Sequence, residues 1–266
     1  MGFCMTNQVV TAEWKDGIAV VTINNPPVHT LSEGVINQLA DVMEKMEALT
    51  DVRVVLITSA GNDVFVAGGD IKMFPSWTGK GKEIAEGKSQ WLQYPLDLID
   101  NLSKPTIAVL DGLALGGGCE LALACDLRIA ESQIEIGLPE IKLGLFPGAG
   151  GTQRLPRLIG EGKAKQMMFT GKPVNAEEAL AIGLVNKVTP KGKAFEEAYQ
   201  LALEISAYSL PALSLMKKAV IQGRDVSLKQ GLKKEAAYFG EVFQTKDVQE
   251  GIAAFIEKRN PKFTHE

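Results

Sequence analysis

The chain predicts an α/β fold built on parallel strand pairing, followed by a helical C-terminal third. Two observations carry that expectation. Strand-like and helix-like segments alternate from Val9 to about Gly160, as they do when helices cover a largely parallel sheet. Beyond Gly160 the periodic segments favour helix. The composition agrees with both: 266 residues at 45% hydrophobic and 23% charged suffice for a substantial core. They exclude disorder, collagen-like repeats and a disulfide scaffold.

Val9 to Trp14 and Ile18 to Ile23 read as a hairpin joined across Asp16-Gly17, a favoured turn dipeptide. Pro26-Pro27 stops the second strand. Thr30-x-x-Glu33 has the form of a capping box, opening a helix with Val35, Ile36, Leu39, Val42, Met43, Met46 and Leu49 on one face. Arg53 to Ser59 is a buried strand type, and the polar, glycine-bearing stretch Lys72 to Ser89 reads as a mobile surface loop. Trp91–Leu102 is expected to be helical and Thr106–Leu110 a strand. A glycine triplet, a short apolar helix at Leu121–Ala124 and a strand at Asp126–Ala130 follow. Six further segments favour helix: Lys163–Phe169, Ala176–Ala181, Ala194–Ala207, Ala212–Ile221, Leu228–Phe243 and Val248–Lys258. In the fifth, Leu228, Leu232, Ala236, Phe239 and Phe243 share a face.

Composition also narrows the chemistry. The 28 basic and 32 acidic residues give a net charge of −4, which offers no electrostatic footprint for nucleic acid. No stretch approaches the roughly 20 apolar residues of a membrane span, and no secretory leader is evident. Cys4, Cys119 and Cys125 cannot all pair within the chain, so a reduced, cytoplasmic protein without a membrane partner is expected. With only His29 and His265, a His-rich metal site is unavailable and any acid–base work rests on carboxylates. No metal is expected.

The most informative run is Asp111-Gly-Leu-Ala-Leu-Gly-Gly-Gly-Cys-Glu120, between a strand and a helix. Backbone N–H groups at a helix start favour a developing oxyanion, and glycines allow close approach; tight strand–helix packing would use the same glycines. Glu120 falls in the first turn of that helix, in apolar surroundings, and Glu140 lies in IGLPEIKLGLFPGAGG. The two suit an acid–base pair. Equally, Glu120 could serve the helix dipole and Glu140 could be a surface residue after Pro139; spacing leaves both open. Phe65-Val-Ala-Gly-Gly-Asp-Ile-Lys72 offers a second site for an oxyanion donor or an Asp-capped helix start. Pro147–Arg154 fits neither GxGxxG nor a Walker loop.

Taken in order, NNPPVHTLS, VFVAGGDIKMF, KPTIAVLDGLALGGGCELALACDLRIA, GLPEIKLGLFPGAGGTQRLPRLIG and EGIAAFIEKRNPKF resemble the crotonase superfamily, and within it the enoyl-CoA hydratases. The resemblance runs from about residue 9 to 263. It implies a crotonase-like spiral of ββα units over residues 1–195, carrying the CoA and catalytic sites, and a helical trimerisation region over 196–266. It implies a trimer or dimer of trimers acting on an acyl-CoA, with no cofactor beyond the CoA of the substrate. By the same resemblance, the Gly69 and Gly117 N–H groups hold the thioester oxygen, and Glu120 and Glu140 are the hydratase carboxylates. Gly148 stands near the catalytic water. Ala67, Gly69, Asp70, Ile71 and Lys72 fall where the family surrounds the CoA, and Phe255 and Lys258 near the CoA of a neighbouring subunit.

The chain departs from the family at Gly69, often Ala, and at His29, often Asn; a structural or surface role for His29 is expected over a ligand role. An enoyl-CoA isomerase, which needs one acid–base group, is the nearest alternative, and retention of both glutamates favours the hydratase. A non-catalytic acyl-CoA- or RNA-binding scaffold on the same fold is the other. Chain-length preference and pathway, whether fatty-acid β-oxidation, amino-acid breakdown or aromatic catabolism, are left open.

Overall fold

Asp16 and Gly17 both adopt positive φ (54° and 83°), the backbone that a two-residue hairpin turn needs. They join β1 (Val10–Lys15) to β2 (Ile18–Ile23) in antiparallel register, with Lys15 opposite Ile18. The computed structural model describes residues 8–266, so Cys4 and the leader reading lie outside the described residues. After β2 the chain enters α1 (Glu33–Ala48), whose apolar stripe from Val35 to Met46 is buried. The N-cap is Ser32, whose hydroxyl accepts from Val35 N, and not the expected Thr30. The preceding Leu31 is pinned in a parallel bridge to Gly69, which holds the chain extended until Ser32.

The same strand–strand–helix unit then recurs. β3 (Val54–Ser59) and β4 (Val64–Ala67) precede α2 (Lys82–Asn101); β5 (Thr106–Leu110) and β6 (Leu113–Leu115) precede α3 (Gly117–Ala124); β7 (Leu127–Glu131) and β8 (Glu135–Gly137) precede α4 (Gly151–Ile159). In each of these three later units the first strand joins a six-stranded sheet of order β1-β2-β3-β5-β7-β10, which also holds both strands of the hairpin. The second joins a four-stranded sheet of order β4-β6-β8-β9. All neighbours are parallel except the β1–β2 and β8–β9 pairs. The expected spiral of ββα units is therefore the architecture.

Two differences from expectation concern helices near the site. The stretch read as a mobile loop holds a 3-10 turn (Ile71–Ser76) capped by the Asp70 carboxylate, and α2 already begins at Lys82. Gly81 and Gly87 weaken the local helix signal, but burial of Leu96 and Ile99 anchors the helix. α3 begins at Gly117, four residues before the expected start, which places the glycine triplet at its N-terminus.

After α5 (Glu161–Thr170), β9 (Val174–Asn175), α6 (Ala176–Ala181) and β10 (Lys187–Thr189) complete the sheets. So the C-terminal third is not wholly helical. α7 (Ala194–Ser206) lies on the outer face of the large sheet. Ala194, Ala198 and Ala202, one turn apart, meet Ile18, Val54, Leu56, Ile107 and Val109 there. The alternate strand residues Val55, Ile57, Ala108 and Leu110 face the main core, as period-two alternation requires. The packing of α7 on the sheet thus extends past residue 195. α8 (Leu210–Gly223), α9 (Leu228–Val242) and α10 (Lys246–Glu257) follow, and neither α8 nor α9 has a buried residue. Cys119 and Cys125 are free and buried. Among the described residues no helix is long and apolar enough to cross a membrane.

Candidate active site

β4, β6 and β8 end side by side, and their following loops converge on a cavity of about 780 Å³. Its lining includes Ala67 at the end of β4 with Gly69 and Ile71 beyond it, Gly116, Gly117 and Glu120 after β6, and Glu140, Gly148 and Ala149 after β8. Leu31, Phe74, Leu92, Leu143 and Phe146 make much of the remaining wall apolar. Spacing alone left Glu120 and Glu140 unconnected; the parallel strands bring them to one chamber.

The three glycines of the triplet meet three different surroundings, and the packing use expected for them is seen at Gly118. Gly116 has φ 55°, and a Cβ there would lie 3.0 Å from Glu140 Oε1. Gly117 is the first helical residue of α3, where an N–H has no intrahelical acceptor. A Cβ on it would stand 2.8 Å from Leu31 Cδ1 and 3.4 Å from Gly69 N, so the two glycine loops touch. Gly118 is a packing residue: a Cβ would fall 1.9 Å from the Val66 carbonyl oxygen. On the facing loop, Leu31 N donates to Gly68 O and Asp70 N to Leu31 O, a pattern that leaves the Gly69 N–H out of the bridge.

Glu120 is 3% exposed. Its Oε1 accepts from Ala149 N and Gly151 N, both at 2.8 Å. Burial pushes its pKa up, opposed by those two N–H groups and by the Arg154 guanidinium. Arg154 itself is held by Asp97 at 2.5 Å and reaches the Ala149 carbonyl at 3.3 Å. Glu140 opens a 3-10 turn (Glu140–Leu143) directly after Pro139. Burial, with a smaller push from the Glu120 charge, raises its pKa to about 7 against the support of its own backbone N–H. Among the described residues its Oε2, which is buried, has no hydrogen-bond partner. Two carboxylates of unequal environment and two glycine backbones around one apolar chamber suit proton transfer beside a developing oxyanion.

Asp70 and Lys72 lie outside the lining: Asp70 caps the 3-10 turn by accepting from Lys72 N. Phe255, 86% exposed on α10, and Lys258 just beyond it also stand apart from the cavity of their own chain. His29 is buried; its Nδ1 accepts from Asn25 N at 3.0 Å and its Nε2 reaches the Ala60 carbonyl at 2.8 Å. Both ring nitrogens are thus spent on backbone, in keeping with the structural role expected. The sequence reading missed Ser89 and Gln93, which bond the Gly148 carbonyl from α2. Their spacing of four, interleaved with Leu92 and Leu96, was the available signal. Among the described residues no cluster of three or more His, Cys, Asp or Glu is arranged to hold a metal.

Comparison with known proteins gives the same direction. The sequence model of the enoyl-CoA hydratase/isomerase family matches residues 13–266. The chain is 40% identical over 258 residues to a short-chain-enoyl-CoA hydratase of Clostridium acetobutylicum, covering 96% of each protein. It is 38% identical over 260 residues to a crotonyl-CoA hydratase of Syntrophomonas wolfei, covering 97% of this chain and 99% of that one. The crystal structure of an enoyl-CoA hydratase from Bacillus anthracis superposes with a TM-score of 0.91 at 36% identity, over 97% of this chain and all of that one (100%). The chain belongs to the enoyl-CoA hydratase/isomerase family and has the crotonase fold.

Proposed function

We propose that the chain is an enoyl-CoA hydratase that adds water reversibly across a trans-2-enoyl-CoA to give a 3-hydroxyacyl-CoA. The family match and the hydratase names of its relatives support the activity. The observation that supports the mechanism is the meeting of Glu120, Glu140, Gly69 and Gly117 at one apolar cavity. The Gly69 and Gly117 N–H groups donate to the thioester oxygen. That draws electron density from C3 and stabilises the enolate formed when water attacks; one such donor is worth about 10²–10³ in rate. Glu120 orients the water, near the Gly148 backbone, and takes its proton. Glu140, raised to about 7, delivers a proton to C2. One proton shared by the pair serves both directions: hydration begins with it on Glu140, dehydration with it on Glu120.

Binding follows the same assignment, with Ala67, Gly69, Asp70, Ile71 and Lys72 around the CoA and the acyl chain in the apolar chamber. The reading uses no metal and no cofactor beyond the CoA moiety of the substrate. Residues 196–266 form an oligomerisation region that builds a trimer or dimer of trimers. The exposed apolar side chains Met216 and Val220 on α8, and Leu228, Leu232 and Phe239 on α9, support this. In that assembly Phe255 and Lys258 contact the CoA of a neighbouring subunit. The protein works in the cytoplasm, where CoA thioesters are found, and β-oxidation is its proposed pathway.

The test is loss of the conjugated enoyl-thioester absorbance on adding crotonyl-CoA and longer homologues. Hydration supports the reading; isomerisation of 3-enoyl-CoA without any hydration would move the chain to the isomerases. Deleting residues 246–266 should raise the KM for acyl-CoA, and a monomer retaining full activity after that deletion would refute the C-terminal assignment.

A further inference from the structure

The peptide between Gly148 and Ala149 lies between Glu120 and α2. Its N–H, on Ala149, donates to Glu120 Oε1 at 2.8 Å. Its carbonyl, on Gly148, accepts from Ser89 Oγ at 2.7 Å and from Gln93 Nε2 at 2.9 Å. Gln93 Nε2 also reaches Ser89 Oγ at 3.1 Å, so the two side chains form one donor set. A trans peptide carries its N–H and C=O on opposite edges of one rigid plane. Holding the carbonyl therefore aims the N–H. Donors on the carbonyl also polarise the amide and strengthen the N–H as a donor in turn.

We propose that Ser89 and Gln93 are positioning residues for Glu120, acting through the Gly148–Ala149 peptide; the proposal rests on Glu120 serving the water in hydration. Neither side chain is assigned a contact with the reacting atoms. The glycines on either side of Ala149 explain why such a clamp is needed. Gly148 and Gly150 leave the loop little intrinsic stiffness, and Gly150 has φ 109°, a conformation that L side chains rarely adopt. Without the clamp the loop keeps Arg154 on the Ala149 carbonyl, at a long 3.3 Å. α2, whose Ser89 and Leu92 line the acyl cavity, is in this way connected to the geometry of the water-handling carboxylate.

The test compares wild type, Ser89→Ala/Gln93→Leu, Ser89→Thr and Glu120→Gln in crotonyl-CoA hydration. The double variant, which removes both donors from the Gly148 carbonyl, should lose about tenfold to hundredfold in kcat, with KM changed less than about threefold. The acid limb of its kcat–pH profile should move to higher pH, because a carboxylate that loses support for its charge holds a proton more tightly. Ser89→Thr, which keeps the hydroxyl, should retain the wild-type limb. A folded double variant with kcat within about twofold of wild type and an unmoved limb overturns the proposal, as does a loss confined to KM. If thermal melting shows the double variant unfolded, Gln93→Leu alone is judged by the same limb and the same KM–kcat split. A wild type that does not hydrate, or an unimpaired Glu120→Gln, would instead overturn the parent reading.

Discussion

Glu120 stands in the first turn of a buried helix and has its Oε1 fixed by two N–H groups of a separate loop. Glu140 stands in a 3-10 turn after a proline, supported by its own backbone N–H, with Oε2 buried and, among the described residues, unpartnered. The same residue type is thus placed in two environments beside one cavity. Burial raises both groups, but Glu120 has two donors from a separate loop to favour its charge, whereas Glu140 has only its own backbone N–H and is raised to about 7. That asymmetry is what an acid–base pair requires, since two carboxylates with equal surroundings would have no preferred place for a single proton.

The largest effect should come from removing either carboxylate. Glu120→Gln and Glu140→Gln should each lower kcat by about 10²–10⁴, with KM for acyl-CoA little changed. Glutamine at 120 keeps an oxygen for Ala149 N and Gly151 N, so the fold should survive, which circular dichroism checks. Near-normal turnover in either variant would break the comparison at its root. A smaller loss, about tenfold to hundredfold in kcat, is expected for Gly117→Ala, because the added methyl meets the fully buried Leu31 beside Gly69 and displaces a donor loop. Gly118→Ala should fail differently. Its methyl meets the Val66 backbone, so a lowered Tm is the expected reading.

The pH dependence sharpens the contrast. The active pair carries one proton, so hydration and dehydration should both show bell-shaped profiles whose upper limb falls as pH rises past about 7. Stability has its own sign. A carboxylate whose folded pKa is raised from 4.5 to about 7 binds more protons in the native state across that window, so its contribution favours folding at low pH and is lost as pH rises. Glu140→Gln removes that cost of ionisation. Its Tm relative to wild type should therefore climb between pH 5 and pH 8, the smallest of these effects, read by thermal melts at matched ionic strength.

How much of this could be read from the chain differs by region. The hairpin, α1 and the helices from α5 to α10 carry enough residues for their periodicity to show. β4, β6 and β8 run only three or four residues each, too few to display alternation, yet their ends carry the site. Glu120 and Glu140 were legible as carboxylates in apolar surroundings. Their meeting at one cavity was not, because it depends on the parallel order of β4, β6 and β8. The start of α2 was hidden by Gly81 and Gly87, whose cost is offset by tertiary burial of Leu96 and Ile99, and with it went Ser89; Gln93 fell inside the expected helix, but its reach to the Gly148 carbonyl is a long-range contact. The Thr30 cap was misplaced by two residues because the pairing of Leu31 with Gly69 is a long-range contact.

The central claim is that the two carboxylates divide the work, Glu140 at C2 and Glu120 at the water. Exchange of the C2 protons of butyryl-CoA with deuterated solvent isolates half of it, since that substrate has no double bond to hydrate and no hydroxyl to lose. Measured by NMR, Glu120→Gln should retain exchange within about tenfold of wild type while hydration of crotonyl-CoA is lost, and Glu140→Gln should lose both. Exchange at the wild-type rate in Glu140→Gln, or its abolition in Glu120→Gln alone, would contradict the division.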